Sequence, residues 1–138
     1  MANEPDLRAT SVDGRIPVVL CIDDEPDHLD LRRKMLEAAG YSVLTADTPQ
    51  GGIGLFRANQ IDIVLLDYWM ADMNGLAVAA ELKCTKSNVP VIMLSGYRSI
   101  LDEGLGRVEK WLIKGETSAG DLLRVMSEIL SRDGHCET

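Results

Sequence analysis

Five short apolar segments recur along the chain, and each is followed by a polar or amphipathic stretch. Short, mainly apolar runs of this kind are typical of strands that are buried on both faces of a parallel sheet. The pattern therefore predicts five strands, and Asp67 comes directly after the third one. The predicted strands cover residues 17–22, 42–46, 61–66, 90–94 and 110–113.

Helices are predicted between the strands from their caps and from their apolar spacing. Pro26 suits the first turn of a helix, and Gly40 suits the position just after its end. Leu31, Met35 and Ala38 are predicted to share one apolar face of this first helix. The other helices are predicted from the cap at Thr48-Pro49, over residues 75–83, weakly over residues 100–105, and from the capping pair Ser118 and Asp121.

Strand and helix alternate five times, which predicts an α/β fold. With right-handed crossovers, this order forms a doubly wound parallel sheet, a (βα)5 arrangement with helices on both faces. The length of 138 residues suits one domain. We expect a disordered leader over residues 1–15, a folded domain over residues 16–131 and a flexible tail over residues 132–138.

The composition limits the kinds of binding partner and the cellular compartment that are compatible with the chain. The formal net charge of −8 argues against direct binding to nucleic acid or to an anionic membrane. The polar N-terminus lacks the apolar stretch of a signal peptide, and no apolar run approaches the roughly 20 residues that cross a bilayer. The three cysteines share no disulfide or zinc-site spacing. These features predict a cytoplasmic protein without a membrane segment.

Polar side chains follow four of the five predicted strands. Asp23 and Asp24 come after the first strand, Asp67 after the third, Ser95 after the fourth and Lys114 after the fifth. In an open parallel sheet, binding sites form beyond the carboxyl ends of the strands. The sequence therefore predicts that three carboxylates, a hydroxyl and an ammonium group meet at one edge of the sheet.

These residue types suit phosphoryl chemistry at a metal ion. Crowded carboxylates repel one another, and Mg²⁺ offsets that repulsion while it keeps positions for phosphoryl oxygens. Asp67 would then attack a phosphoryl donor and form an acyl phosphate, while Lys114 and the metal neutralise the charge. Taken singly, each residue has a plainer interpretation as a turn residue, a helix cap or a solvated surface charge. Their shared position at the ends of successive strands favours the functional interpretation.

The segments around these positions resemble the response-regulator receiver domains of two-component systems. The resemblance extends over about residues 16–131 and implies the flavodoxin-like strand order 2-1-3-4-5. The matching stretches are Cys21–Pro26, Leu65–Met70 with Asn74 and Gly75, Pro90–Gly96, and Trp111–Lys114.

The resemblance implies how the metal and the phosphoryl group are held. Asp67 would accept a phosphoryl group from a histidine kinase. Asp24 and Asp67 would ligate Mg²⁺ together with the backbone carbonyl of Trp69. Asp23 would support the metal mainly through water.

The resemblance also implies a signalling role, not that of an enzyme. Ser95 would be the switch hydroxyl, Lys114 would pair with the phosphoryl group, and Trp111 holds the switch-aromatic position. We expect a stand-alone phosphoacceptor whose only reactions are its own phosphotransfer and dephosphorylation. Its expected partners are a sensor histidine kinase or phosphotransfer protein and a downstream protein that the sequence does not identify. A homodimer is an open alternative.

The sequence departs from the family pattern in three places. Gly115 replaces a proline that is usually cis, so we expect a trans peptide bond after Lys114. Ala71 replaces a common proline in the loop after the third strand. The spacing from Ser95 to Lys114 is shorter than usual, so the fourth helix should be short or irregular.

Three other functions were weighed. A phosphatase of the haloacid dehalogenase type would need an acid two residues after Asp67, where this chain has Trp69. A flavin-binding electron carrier would need a phosphate-binding loop after the first strand, where this chain has Asp23-Asp24-Glu25. A pseudo-receiver that only binds partners would be expected to lack Asp67 or Lys114, and both are present.

Overall fold

The computed structural model describes residues 12, 14–68, 70, 74–96 and 108–136, with side chains described up to residue 131. Five strands and four helices lie within these residues. The strands are β1 (Val18–Ile22), β2 (Ser42–Ala46), β3 (Ile63–Asp67), β4 (Val91–Ser95) and β5 (Lys110–Ile113). The helices are α1 (Pro26–Ala38), α2 (Pro49–Ala58), α3 (Gly75–Thr85) and α4 (Ala119–Cys136).

The strands form one parallel sheet in the order β2-β1-β3-β4-β5. The predicted flavodoxin-like order 2-1-3-4-5 is therefore confirmed. The register pairs Ile22 with Leu66 and Asp67 with Leu94, so the carboxyl ends of the three central strands lie side by side. This alignment brings the polar residues that follow each strand to the same edge.

Alternate residues of each strand pack into two hydrophobic cores, one on each face of the sheet. In β1, Leu20 and Ile22 join the core that contains Phe56 of α2. Val19 and Cys21 join the opposite core, which contains residues of α1 and α4. Because both faces are covered, the strands are almost continuously apolar, as the sequence pattern predicted.

Helix α1 buries a different face from the predicted one. Leu31 is 68% exposed and Ala38 is also exposed, whereas Leu29 and Leu36 are the buried residues of the helix. Both stripes are apolar enough to face a core, and the docking of the helix on the sheet selects the one through Leu29 and Leu36. Met35 is partly buried and packs against this core, so the predicted face was wrong for Leu31 and Ala38.

The predicted helix caps are confirmed. Pro26 is in the first turn of α1. After the helix, Gly40 has φ 100°, and the N–H groups of Gly40 and Tyr41 donate to the carbonyls of Glu37 and Leu36. This pair of hydrogen bonds is the Schellman pattern. The Thr48 side chain caps α2, and Ser118 and Asp121 exchange hydrogen bonds at the start of α4.

Near the N-terminus, Arg15 forms a salt bridge with Asp62, the residue before β3. Its guanidinium makes two hydrogen bonds to the Asp62 carboxylate, at 2.6 and 2.8 Å, and that carboxylate also accepts from the backbone N–H of Val18. At the other end of the chain, α4 extends to Cys136. The leader and the flexible tail stay predictions at these boundaries.

Two further predictions fall on segments that lie outside the described residues, namely the short helix over 100–105 and the effect of Ala71. Within the described part of the chain, none of the helices is long and apolar enough to span a membrane.

Candidate functional site

Three carboxylates meet at the carboxyl edge of the sheet. Asp23 and Asp24 follow β1, and Asp67 is the last residue of β3, the neighbouring strand. One carboxylate oxygen from each of the three lies within 4.8 Å of the others. The structure thus brings together the three acidic residues that the sequence analysis singled out.

The Asp23 carboxylate is fully buried, with 0% relative exposure. Its Oδ1 accepts a hydrogen bond of 2.9 Å from the backbone N–H of Glu25. Its Oδ2 is approached by three basic side chains: Arg32 Nη1 at 3.4 Å, His28 Nδ1 at 3.5 Å and Lys114 Nζ at 3.7 Å. Burial of a carboxylate is costly unless it is hydrogen-bonded or paired, and these contacts supply such partners.

Lys114 connects the site across the sheet. It follows β5, yet its ammonium group forms an ion pair with the Asp67 carboxylate and also approaches Asp23. The backbone N–H of Lys114 donates to the carbonyl of Ser95, at 2.7 Å, which anchors the residue beside the end of β4. One cation is therefore shared by two of the three carboxylates.

Burial of Asp67 raises the pKa of its carboxyl group above the ordinary value. The hydrogen bond from Lys114 lowers the pKa, and the charge of Asp23 raises it again. Burial and the like charge of Asp23 thus oppose ionisation of the residue that the sequence predicts to be the phosphoacceptor. A cation that joins the three acids would remove this opposition.

The turn after β5 depends on Gly115. The N–H of Glu116 donates to the carbonyl of Ile113, and Gly115 has φ 85°. A positive φ at the third residue is typical of a type II turn and is unavailable to proline. No cis peptide bond occurs within the described residues, which confirms the expected trans bond after Lys114.

Gly75 brings helix α3 close to Asp67. A Cβ atom on Gly75 would lie 2.6 Å from Met93 Sδ, 2.8 Å from Tyr68 Cα and 2.9 Å from the carbonyl oxygen of Asp67. Its N–H donates to the carbonyl of Tyr68, at 2.6 Å. The absence of a side chain therefore lets the helix begin directly against the end of β3.

Ser95 and Trp111 lie on the neighbouring strands β4 and β5. Ser95 is buried at the end of β4, with 1% exposure. Trp111 in β5 packs its ring against Tyr68, with the ring centroids 5.8 Å apart. Tyr68 directly follows Asp67 in the sequence, so the indole ring contacts the residue next to the predicted phosphoacceptor. The Trp69 carbonyl, which was predicted to bind the metal, lies outside the described residues.

Two basic residues of α1 were missed by the sequence analysis as parts of the site. The His28 side chain is 47% exposed, and its Nδ1 lies 3.5 Å from Asp23 Oδ2. The Arg32 side chain is only 14% exposed and reaches the same carboxylate. Their spacing of four residues on one helix face was the available signal.

The donor set fits a hard divalent cation. Three carboxylate oxygens lie close together at one edge of the sheet, and magnesium prefers oxygen ligands of this kind. Asp24 and Asp67 are each suited to direct coordination. The fully buried Asp23 already accepts a backbone N–H and pairs with basic side chains. These contacts suit it to support the metal indirectly.

Comparison with known proteins agrees with this geometry. Residues 19–104 match the family model described as the response regulator receiver domain. Over 84 residues, 61% of this chain, the sequence is 34% identical to the transcriptional regulatory protein GlrR of Escherichia coli strain K12. The match covers 19% of that relative, so the chain spans about a fifth of its length.

Solved structures resemble the whole sheet. A CheY-like response regulator receiver domain protein from Methanospirillum hungatei superposes with a TM-score of 0.81 and 25% identity, over 86% of this chain and 96% of the other. The response regulator TrrA from Thermotoga maritima, in complex with Mg²⁺-BeF, gives a TM-score of 0.75 and 27% identity, over 83% and 99% of the two chains.

The family match covers more than half of the chain, and the strand order and the acidic cluster agree with it. This chain therefore belongs to the response regulator receiver domain family.

Proposed function

We propose that this receiver domain accepts a phosphoryl group on Asp67 from a histidine kinase or a phosphotransfer protein, in a reaction that depends on Mg²⁺. The proposal is carried by one observation: Asp67 lies at the end of β3, paired with Lys114 and within 4.8 Å of oxygens of Asp23 and Asp24. Receiver domains act as phosphoacceptor modules in signalling, and the finer assignments of residues are part of this proposal.

Asp24, Asp67 and the Trp69 carbonyl would hold Mg²⁺, with Asp23 in support. When bound, the metal would neutralise phosphoryl oxygens and lower the repulsion among the carboxylates. The Asp67 oxygen would attack phosphorus and form the new bond as the bond from phosphorus to the histidine nitrogen breaks. The side chain of Lys114 would pair with a phosphoryl oxygen and offset the charge that develops in transfer.

Hydrolysis would complete the cycle, when water attacks phosphorus and the bond to Asp67 breaks. We assign no other catalytic activity to the domain. This self-catalysed transfer and hydrolysis distinguish it from the phosphatases weighed above, which would turn over a phosphomonoester.

Ser95 and Trp111 are proposed as the residues that respond to phosphorylation. Ser95 is buried beside the site at the end of β4, and Trp111 packs on Tyr68. A phosphoryl group on Asp67 would draw the Ser95 hydroxyl toward it and favour one arrangement of these neighbours. The downstream protein target, the homodimer and the stand-alone action of the domain stay predictions.

Intact-mass spectrometry tests the proposal. The purified protein is incubated with acetyl phosphate, with MgCl₂ or with EDTA, and Asp67→Asn is the matched control. We expect one added phosphoryl group on the wild type with MgCl₂ only. A folded wild type without an adduct would instead indicate a pseudo-receiver, and an equal adduct on Asp67→Asn would place the chemistry elsewhere.

A further inference from the structure

Arg32 occupies a position in α1 where a core residue would be expected. Leu29 and Leu36 form the buried stripe of the helix, and Arg32 comes three residues after Leu29 on the same stripe. Its side chain is only 14% exposed. A charged residue is rarely found at such a position unless it is paired.

The partner of Arg32 is an acid of the phosphorylation site. Its Nη1 donates to Asp23 Oδ2 at 3.4 Å, and Asp23 is fully buried. The neighbouring Arg33 points elsewhere and donates to Thr45 Oγ1 at 3.1 Å.

Arg32 therefore changes the charge that a metal ion meets. The three carboxylates of Asp23, Asp24 and Asp67 face the permanent positive charges of Arg32 and Lys114. By formal charge, these three acids and two bases sum to −1, and the sum would be −2 without Arg32. A divalent cation binds more weakly where a fixed positive charge lies nearby, because that charge repels the metal ion and neutralises part of the negative charge of its ligands.

We propose that Arg32 is a positioning residue that acts as a built-in counter-ion of Asp23 and competes with the divalent cation, so that it sets the Mg²⁺ concentration at which the site loads. This inference rests on the proposed function, because it requires that the acidic cluster binds Mg²⁺. It assigns to α1 a part in metal affinity that is separate from any part in the transfer itself.

The test is a titration of metal-free protein with MgCl₂, followed by tryptophan fluorescence and, independently, by the shift of the thermal midpoint. The variants are Arg32→Met, which keeps the length of the side chain without its charge, and Arg33→Met as a matched control with the same change in net charge. We expect Arg32→Met to bind Mg²⁺ about tenfold more tightly, and Arg33→Met to stay within about twofold of the wild type. Circular dichroism checks that each variant is folded.

Arg32→Gln is the second variant if Arg32→Met does not fold, and the same tightening is expected of it. Arg32→Lys, which keeps the charge, should retain the affinity of the wild type. Equal affinity in folded Arg32→Met and wild type would overturn the inference, and so would equal tightening in the Arg33→Met control. If neither the wild type nor the Arg32 variants respond to MgCl₂ in either measurement, the metal site of the proposed function fails first and this inference fails with it.

Discussion

The ammonium group of Lys114 pairs with the carboxylate of Asp67, although β4 lies between the strands that carry them. The pairing is possible because the turn at Gly115 and the hydrogen bond from Lys114 N–H to the Ser95 carbonyl hold Lys114 at the carboxyl edge of the sheet. The same ammonium group lies 3.7 Å from Asp23. Lys114 therefore balances the acidic cluster, next to the carboxylate that we propose as the phosphoacceptor.

Lys114→Gln should slow phosphorylation of Asp67 by acetyl phosphate by about 100-fold at saturating MgCl₂, since a fixed charge that stabilises the transferring group is lost. The rate is measured from the intact mass over time. Lys34→Gln, which breaks an exposed pair with Asp30, is the control and should react at the wild-type rate. An unchanged rate in Lys114→Gln would show that Lys114 has no part in transfer.

Gly75→Ala should destabilise the protein by about 1–3 kcal/mol, because the new methyl group would overlap Met93 and the backbone around Asp67. Gly54→Ala is a matched control in helix α2, where the added methyl group meets nothing within 4 Å. That variant should gain about 0.5–1 kcal/mol. Urea denaturation measures both, and similar stabilities for the two variants would contradict the close contact at Gly75.

Gly115→Ala should cost about 1–2 kcal/mol, because the positive φ of 85° is unfavourable for a residue with a side chain. Gly115→Pro cannot keep this φ, so the turn must rearrange and Lys114 must move. We therefore expect Gly115→Pro to slow phosphorylation more than Gly115→Ala does. Gly96→Ala, where a methyl group meets nothing within 4 Å, serves as the control. Wild-type stability and rate in Gly115→Pro would contradict this description of the turn.

Asp67→Asn should stabilise the metal-free protein at neutral pH. Burial raises the pKa of the Asp67 carboxyl group in the folded state, so the unfolded state loses its proton first as the pH rises. Stability from this group is therefore present below its ordinary pKa of 3.8 and is lost as the pH rises through the folded pKa.

The stability difference between wild type and Asp67→Asn is measured by urea denaturation in EDTA at several pH values. It should be largest near neutral pH and should shrink as the pH falls toward 3.8. Asp30→Asn, at an exposed position of α1, is the control for the loss of one carboxylate. A constant difference across the range would contradict the raised pKa.

Much of the fold followed from local patterns. The bounds of β2 and β5 were predicted correctly because short apolar runs flanked by turn residues leave little freedom. The five polar residues after the strands were predicted to meet because a parallel sheet aligns its carboxyl ends, and the structure brings Asp23, Asp24, Asp67 and Lys114 together.

The contribution of α1 was not predictable in the same way. Two apolar stripes compete on this helix, and the choice between Leu29 with Leu36 and Leu31 with Met35 depends on tertiary packing. That choice rotates Arg32 toward Asp23. The positive φ of Gly115 was also not predicted from the sequence. The absence of the proline indicates a trans peptide bond but does not specify the type of turn.

Reductive trapping of the phosphorylated protein tests the central claim most directly. Borohydride reduces an aspartyl phosphate to homoserine, so peptide mass spectrometry after treatment with acetyl phosphate, MgCl₂ and borohydride identifies the residue that carried the phosphoryl group. We predict homoserine at position 67 in the wild type, and none in a sample prepared with EDTA. Homoserine at Asp23 or Asp24, or at no position in a folded and magnesium-binding protein, would contradict the account.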